Sequence, residues 1–273
     1  MRLALAQLSA GLDRQDNLRR VLEAMDQAKA EGAEVIAFPE LAIDRFFPQR
    51  EHDSSAASCA EPIPGPAADA VADKAKEHSL VTVFNMYEQD EQGRRFDSSP
   101  VFDSDGTCLG VTRMVHICDY ECFHEQEYYH AGDTGAPVYQ TSAGAIGVAI
   151  CYDRHYPEFM RALGVAGAEL VVIPQAGALD EWPEGLYEAE VRTAAFQNGY
   201  FAALCNRVGK EEKLTFAGES FVVDPKGQVI SRGKTLEDDI LITDIDLSDC
   251  KTSPARTLFW RDRRPDLYGE WLR

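Results

Sequence analysis

The stretch GAIGVAICYDRHYPEFMRALGVAGAELVVIPQ, residues 144–175, predicts the class of fold. The residues before Cys151 are mostly apolar and indicate a buried strand, and residues 157–167 are expected to form a helix that ends at Gly167. The run AELVVIPQ then indicates a second buried strand. A strand, a helix and another strand in this order are typical of an α/β protein whose helices cover its sheets.

Helices are predicted at three further places. Residues 17–31 carry apolar side chains at helical spacing, with Asp16 as the expected N-cap and Gly32 as the end. A second helix is expected to follow the proline-rich loop EPIPGPAADA and to run through Lys76, and a third, YEAEVRTAAFQNG, to end at Gly199.

Strands are predicted between these helices. The segments are RLALAQLSA, AEVIAFPEL, LVTVFNMYE, YFAALCNRVG and DILITDIDL, with hairpins at the DG pair 105–106 and at PKG 225–227. The segment LGVTRMVHICDYE, residues 109–121, is also predicted to be a strand, with Thr112, Met114 and His116 on one face and Arg113 on the other. We therefore predict one domain over residues 1–273, with a C-terminal arm from about residue 251.

Composition excludes several classes of partner. The net charge is −19, from 46 acidic and 27 basic residues, which disfavours binding to nucleic acid and to anionic membrane. Apolar runs are too short to span a bilayer, and the N-terminus lacks the apolar core of a signal peptide, so we predict a cytoplasmic protein. The seven cysteines are an odd number in a long chain, which argues against a disulfide framework.

One string of residues suggests a metal site. His116, Cys118, Cys122 and His124 form an HxCxxxCxH pattern with zinc-binding residue types. A strand would spread these side chains too far for one tetrahedral site, whereas a loop could bring them together. Short motifs of this kind match by chance, so the pattern alone is a weak signal.

Two residues at predicted strand ends have the chemistry of a hydrolytic site. Cys151 lies between a strand and a helix, where helix N–H groups are expected to lower the thiol pKa; the alternative is a buried inert cysteine. Glu40 follows Phe38 and Pro39, so an enclosed carboxyl with a raised pKa, suited to a general base, competes with a solvated loop glutamate.

The motifs FPEL and ICYDRHYPE resemble those of the nitrilase superfamily of carbon–nitrogen hydrolases. The resemblance extends through HEQEYYHAGDTG, GAELVVIPQA, RTAAFQNGYFAALCNRVG and FAGESFVVDPKGQV, over essentially the whole chain. It is strongest to the branches that hydrolyse N-carbamoyl compounds: β-ureidopropionase, N-carbamoylputrescine amidase and N-carbamoyl-amino-acid amidohydrolase. The resemblance implies an α/β fold, a four-layer α-β-β-α sandwich, that dimerises into homo-oligomers and needs no metal or cofactor. It also implies hydrolysis of a small-molecule N-carbamoyl amino acid, N-carbamoyl amine or amide.

The resemblance also implies roles for individual residues. Cys151 would be the nucleophile that forms the acyl-enzyme, Glu40 the general base, and Tyr152 the source of an oxyanion-binding backbone N–H. Glu125 would orient the family lysine and the substrate nitrogen. That lysine falls at Met114, in a register set by Arg113 and His116.

The missing lysine leaves three explanations open: a natural enzyme with weak or altered activity, a non-catalytic relative that binds a ligand or partner, or an engineered lysine-to-methionine change. Losing one oxyanion donor costs on the order of 10²–10³ in rate. Without the cation, we expect Glu40 and Glu125 to repel one another and Cys151 to be harder to ionise.

Five residues are candidates for substrate binding: Tyr152, Arg154, His155, Gln175 and Trp182. Arg154 would suit a substrate carboxylate, and an ion pair with a protein acid is the equal alternative. Trp182 lies on a loop that could cover the pocket, although a packing role is equally consistent with a lone aromatic residue.

Overall fold

The computed structural model describes residues 1–271, which form fifteen strands and six α-helices. The strands are β1 Arg2–Gln7, β2 Val35–Ala37, β3 Val81–Val83, β4 Met86–Gln89, β5 Arg95–Phe102, β6 Cys108–Arg113, β7 Val138–Thr141, β8 Gly144–Val148, β9 Leu170–Gln175, β10 Phe201–Asn206, β11 Val208–Lys210, β12 Thr215–Ala217, β13 Phe221–Val223, β14 Val229–Arg232 and β15 Asp239–Asp244. The helices are α1 Arg14–Ala30, α2 Pro66–His78, α3 Pro157–Val165, α4 Leu186–Asn198, α5 Ser248–Thr252 and α6 Pro265–Trp271.

Most strands belong to two sheets. The first sheet has the order β15-β1-β2-β3-β5-β4, with β6 also paired to β5, and the second has the order β14-β13-β10-β9-β8-β7. Strands β1, β2 and β3 run parallel, as do β8, β9 and β10. The parallel strands β2 and β8 therefore end in loops where α/β proteins hold their ligands.

Three apolar clusters separate four layers. The central cluster joins side chains of both sheets, such as Leu5 of β1 and Val172 of β9. A second cluster packs α1 and α2 on the first sheet, and a third packs α3 and α4 on the second sheet. The predicted α-β-β-α sandwich is confirmed, because side chains on one face of each sheet pack against the other sheet and side chains on the opposite face pack against helices.

The helix and hairpin predictions are confirmed with shifted boundaries. Helix α1 begins three residues earlier than expected, at Arg14, and its N-cap is Asp13 rather than Asp16. The Asp13 carboxylate accepts hydrogen bonds from the backbone N–H groups of Gln15 (2.9 Å) and Asp16 (3.4 Å). Hairpins β5–β6 and β13–β14 form around the predicted turns.

Several strand predictions are wrong in extent. The predicted strand 109–121 ends at Arg113, because the Asp153 carboxylate accepts hydrogen bonds from the next free N–H groups, those of Val115 and His116 (3.0 Å). Residues 80–88 divide into β3 and β4 around Asn85, whose amide oxygen accepts a hydrogen bond from a loop N–H. Residues 200–209 divide into β10 and β11, and strands β7 and β12 were not predicted.

The predicted C-terminal arm lies against α3 and α4. The Trp260 indole N–H donates to the Gln197 carbonyl (3.2 Å), and the Arg256 guanidinium donates to the Gly164 carbonyl (3.2 Å) and stacks on Trp260. The single-domain prediction extends to residues 272–273, which lie outside the described residues. No helix within residues 1–271 has the length and apolar character needed to cross a membrane.

Candidate active site

Cys151 occupies a strained turn after β8. Its φ is +41°, in the left-handed region that side chains with a Cβ rarely adopt, and it begins a 3₁₀ turn, Cys151–His155, that leads into α3. Such strain is characteristic of functional positions. The Gln175 amide donates a hydrogen bond to the Cys151 sulfur (3.2 Å), so the thiol is held against the end of β9.

Glu40 follows β2 and is completely buried. Its backbone carbonyl accepts a hydrogen bond from the buried Arg207 guanidinium (3.0 Å), and the next N–H, that of Leu41, donates to the Asn85 side chain (2.6 Å). These main-chain bonds fix the loop and leave the Glu40 carboxyl group directed into the interior.

Glu125 completes a compact group. It lies in the 3₁₀ turn Glu125–Glu127 and is also fully buried. One ligand atom from each of Glu40, Glu125 and Cys151 lies within 4.8 Å of the others. The structure therefore brings together three of the four residues predicted for catalysis, from segments far apart in sequence.

Met114 is fully buried and belongs to the same apolar cluster as Cys151. Its N–H donates to the Asp97 carbonyl (2.9 Å), and Asp153, two residues after the nucleophile position, binds the backbone just beyond Met114 and the His116 ring (2.6 Å). Arg113 faces the other way, as predicted, and binds Glu88 and Asp133.

No lysine within residues 1–271 lies close in sequence to Met114. Lys76 and Lys210, the nearest lysines in sequence, are both exposed on the surface. Burial and the charge of Glu125 raise the Glu40 pKa to about 8, and burial and the charge of Asp97 raise the Glu125 pKa to about 8. Both directions match the expectation for two carboxyl groups that share a pocket without a cation.

The pKa of the Cys151 thiol is shifted in the same direction. Burial, together with the charges of Glu40 and Glu125, raises its pKa well above that of a free cysteine. Desolvation and the two adjacent carboxyl groups therefore dominate the pKa of this thiol, over any lowering expected from helix N–H groups. The expectation of a thiol that is hard to ionise agrees with this direction.

The sequence analysis missed a third acidic group. Asp97, on β5, is fully buried, and its pKa is raised well above the ordinary value by burial and by the charge of Glu40. Asn85 donates a hydrogen bond to one of its oxygens (2.6 Å). A charged residue inside the otherwise buried strand RFDSSPVF was the available signal.

Three of the predicted substrate residues belong to an aromatic cluster. The rings of Tyr152, His155 and Trp182 form a closed circuit with Tyr120, with centroid separations of 5.0 Å to 6.3 Å between neighbours. Tyr120 also belongs to this group of four side chains, here called the aromatic cluster, and the sequence analysis missed it. The Tyr120 hydroxyl donates to Glu181 (2.7 Å), and this hydrogen bond connects the aromatic cluster to the loop that carries Trp182.

Arg154 and Gln175 both contact Cys151 and bind each other. The Arg154 guanidinium donates to the Cys151 carbonyl (2.9 Å) and to the Gln175 side chain (2.9 Å), lies 3.4 Å from the Glu190 carboxylate, and stacks on Tyr187. Of the two interpretations of Arg154, the structure shows the ion pair with a protein acid.

The HxCxxxCxH string does not form a metal cluster among the described residues. His116 binds Asp153, His124 lies near Asp119, and the Cys118 thiol donates to the Phe123 carbonyl. Within residues 1–271, the clusters whose ligand atoms lie close enough to hold a metal ion do not include these four residues.

Comparison with known proteins identifies the class. The family described as carbon-nitrogen hydrolase matches residues 2–255. The protein belongs to this family, which lies in the nitrilase superfamily, and the class is that of hydrolases acting on carbon–nitrogen bonds other than peptide bonds.

Individual relatives agree in sequence and in fold. N-carbamoylputrescine amidase of Solanum lycopersicum is 32% identical over 255 residues, covering 88% of this chain and 84% of that protein. The structure of a carbon–nitrogen hydrolase from Helicobacter pylori covers 100% of this chain and 98% of its own, with 27% identity and a TM-score of 0.94. A mutant amidase from Nesterenkonia sp. covers 99% and 96%, with 27% identity and a TM-score of 0.82, and carries the acetamide moiety of fluoroacetamide on its active site cysteine.

Proposed function

We propose that the protein is an amidase that cleaves an N-carbamoyl amine or a small amide through an acyl-enzyme on Cys151. The observation that carries this proposal is the convergence of Cys151, Glu40 and Glu125, with one ligand atom of each within 4.8 Å of the others. A nucleophile and a base in reach of one another are the signature of covalent catalysis. The amidase with an acetamide group on its active site cysteine supports the same step.

In the proposed reaction Glu40 accepts the thiol proton while the Cys151 sulfur bonds to the amide or carbamoyl carbon. The carbon–nitrogen bond then breaks, and the proton passes from Glu40 to the departing nitrogen. Water, deprotonated by Glu40, attacks the thioester carbon and releases the acid and the thiol. The Tyr152 N–H would bind the oxyanion, whereas Met114 offers no hydrogen-bond donor for it.

The charge near the site favours an amine over an amino acid as the leaving group. Arg154 is buried, and the Glu190 carboxylate 3.4 Å away offsets its charge, which disfavours a substrate carboxylate beside it. The faces of the aromatic cluster would instead suit a cationic or neutral amine. N-carbamoylputrescine amidase, by its name, acts on such a compound.

A non-catalytic binding role is the second candidate. The raised pKa values of Glu40, Glu125 and Cys151 keep all three groups predominantly protonated near neutral pH, which suits a resting pocket better than an active nucleophile. In either role we propose a cytoplasmic protein that forms a homo-oligomer from dimers. Light scattering after gel filtration tests the oligomeric state.

Mass spectrometry of the intact protein separates the two candidates. Exposure to fluoroacetamide and to N-carbamoyl amines is expected to add an acyl group to Cys151 and to leave Cys151→Ser unmodified. If no adduct forms with any of these compounds, and Met114→Lys forms none either, the amidase proposal fails and the binding role stands.

A further inference from the structure

The group formed by Glu40, Glu125 and Cys151 also has the composition of a metal site. Its three ligand atoms come from three separate segments and lie within 4.8 Å of one another, and all three residues are buried. Zn²⁺ binds thiolate at about 2.3 Å and carboxylate oxygen at about 2.0–2.2 Å, so tetrahedral ligand atoms are about 3.2–3.7 Å apart. Small side-chain movements would bring these atoms to that spacing.

The carboxyl groups are without partners. Both oxygens of Glu40 and both oxygens of Glu125 are buried and accept no hydrogen bond within the described residues. Buried polar atoms without partners cost free energy, and buried acids are normally paired or coordinate a metal. These four oxygens therefore indicate a missing positive group rather than a finished ion-pair network.

Within residues 1–271, no lysine or arginine side chain donates a hydrogen bond to these oxygens. Met114 holds the position of the family lysine, and the neighbouring guanidinium groups bind other partners. Arg154 binds backbone, Gln175 and Glu190, and Arg207 binds backbone carbonyls and Glu211.

We propose that Glu40, Glu125 and Cys151 bind a borderline divalent cation of the Zn²⁺ type. One thiolate and two carboxylates provide three protein ligands, and a water molecule would complete a tetrahedral site. Mg²⁺ is excluded as the preferred ion because it selects oxygen ligands in octahedral geometry. Of the three ligand residues, Cys151 alone retains a small exposed fraction, 5%.

Metal binding changes the chemistry of the pocket. The ion takes up the Cys151 thiolate and both carboxylates and releases their protons to solvent. A coordinated thiolate is no longer a free nucleophile, so Zn²⁺ is expected to protect Cys151 from alkylation and to inhibit the proposed amidase. The site does not require that Cys151 forms an acyl-enzyme, so binding and hydrolysis can fail independently.

The test measures metal per chain after loading with Zn²⁺ and gel filtration. We expect one Zn²⁺ per chain in the unaltered protein and almost none in Cys151→Ser or Glu125→Gln. Cys108→Ser is the matched control, because Cys108 is an exposed cysteine outside the pocket. Thermal melting shows that each variant is folded, and Co²⁺ loading is expected to give a thiolate charge-transfer band that Cys151→Ser loses and Cys108→Ser keeps.

Two further variants make the test specific. Met114→Lys places an ammonium group among the ligands and is expected to abolish Zn²⁺ binding without removing a ligand. His78→Gln alters the other spaced group in the described residues, the surface cluster Asp26, Glu77 and His78, and is expected to leave binding unchanged. Absence of Zn²⁺ from the unaltered protein, or loss of Zn²⁺ in His78→Gln and not in Cys151→Ser, overturns the proposal.

Discussion

Replacing Met114 by lysine adds an ammonium group to a pocket that holds Glu40, Glu125 and Cys151 and contains no lysine among the described residues. The Glu40 pKa of about 8 leaves only about one tenth of this group ionised near pH 7. An adjacent ammonium lowers this pKa, so the ionised fraction and the rate rise about tenfold.

The lysine also adds a donor for the oxyanion. One such donor is worth about 10²–10³ in rate. The two contributions together predict that kcat/KM for an N-carbamoyl amine increases about 10³–10⁴-fold in Met114→Lys.

The assay follows ammonia release with a coupled enzyme, over a range of pH, for the unaltered protein, Met114→Lys and Met114→Leu. Met114→Leu is the matched control because it keeps an apolar side chain of similar volume, and its rate is expected to stay within a few-fold of the unaltered protein. A folded Met114→Lys variant with unchanged kcat/KM and an unchanged rate of Cys151 alkylation would refute the assignment of Met114 to the lysine position.

Three other predictions concern pH, substrate charge and the loop near the pocket. Folding raises the pKa values of Glu40 and Glu125, so the folded state binds more protons between about pH 4.5 and pH 8, and the free energy of unfolding falls across that window by up to about 1.4 kcal/mol per pH unit and group. Glu125→Gln is expected to reduce this slope, as measured by urea unfolding; an unchanged slope contradicts the assigned pKa shifts. Arg154→Gln is expected to lower the free energy of unfolding by about 3 kcal/mol, because it breaks a buried ion pair, and to leave the ratio of KM values for carbamoyl amines and carbamoyl amino acids unchanged; a selective loss of the amino acid substrates would return this residue to the substrate site. Glu181→Ala frees the loop of Trp182 and is expected to raise KM several-fold with a smaller effect on kcat. If Glu181→Ala and Trp182→Ala instead both lower kcat by the same factor, this result would indicate a direct role of the loop in catalysis.

Local patterns in the chain were sufficient for most of the architecture. Apolar runs, glycine stops and the DG and PKG turns predicted most strands, the main helices and two hairpins, because these features follow from short-range backbone preferences. The strand predictions failed where a side chain, rather than a neighbouring strand, accepts hydrogen bonds from backbone N–H groups. Asp153 ends the strand before Met114, and Asn85 interrupts the strand between β3 and β4.

The candidate site divides in the same way. The sequence by itself determined the residue types at Glu40, Cys151 and Glu125 and, through the family resemblance, the absence of a lysine at Met114. Only the tertiary structure decided that Asp97 joins this group and that Arg154 is paired within the protein. Burial, distance and the sharing of charge depend on residues brought together from distant segments, and no local pattern in the chain contains that information.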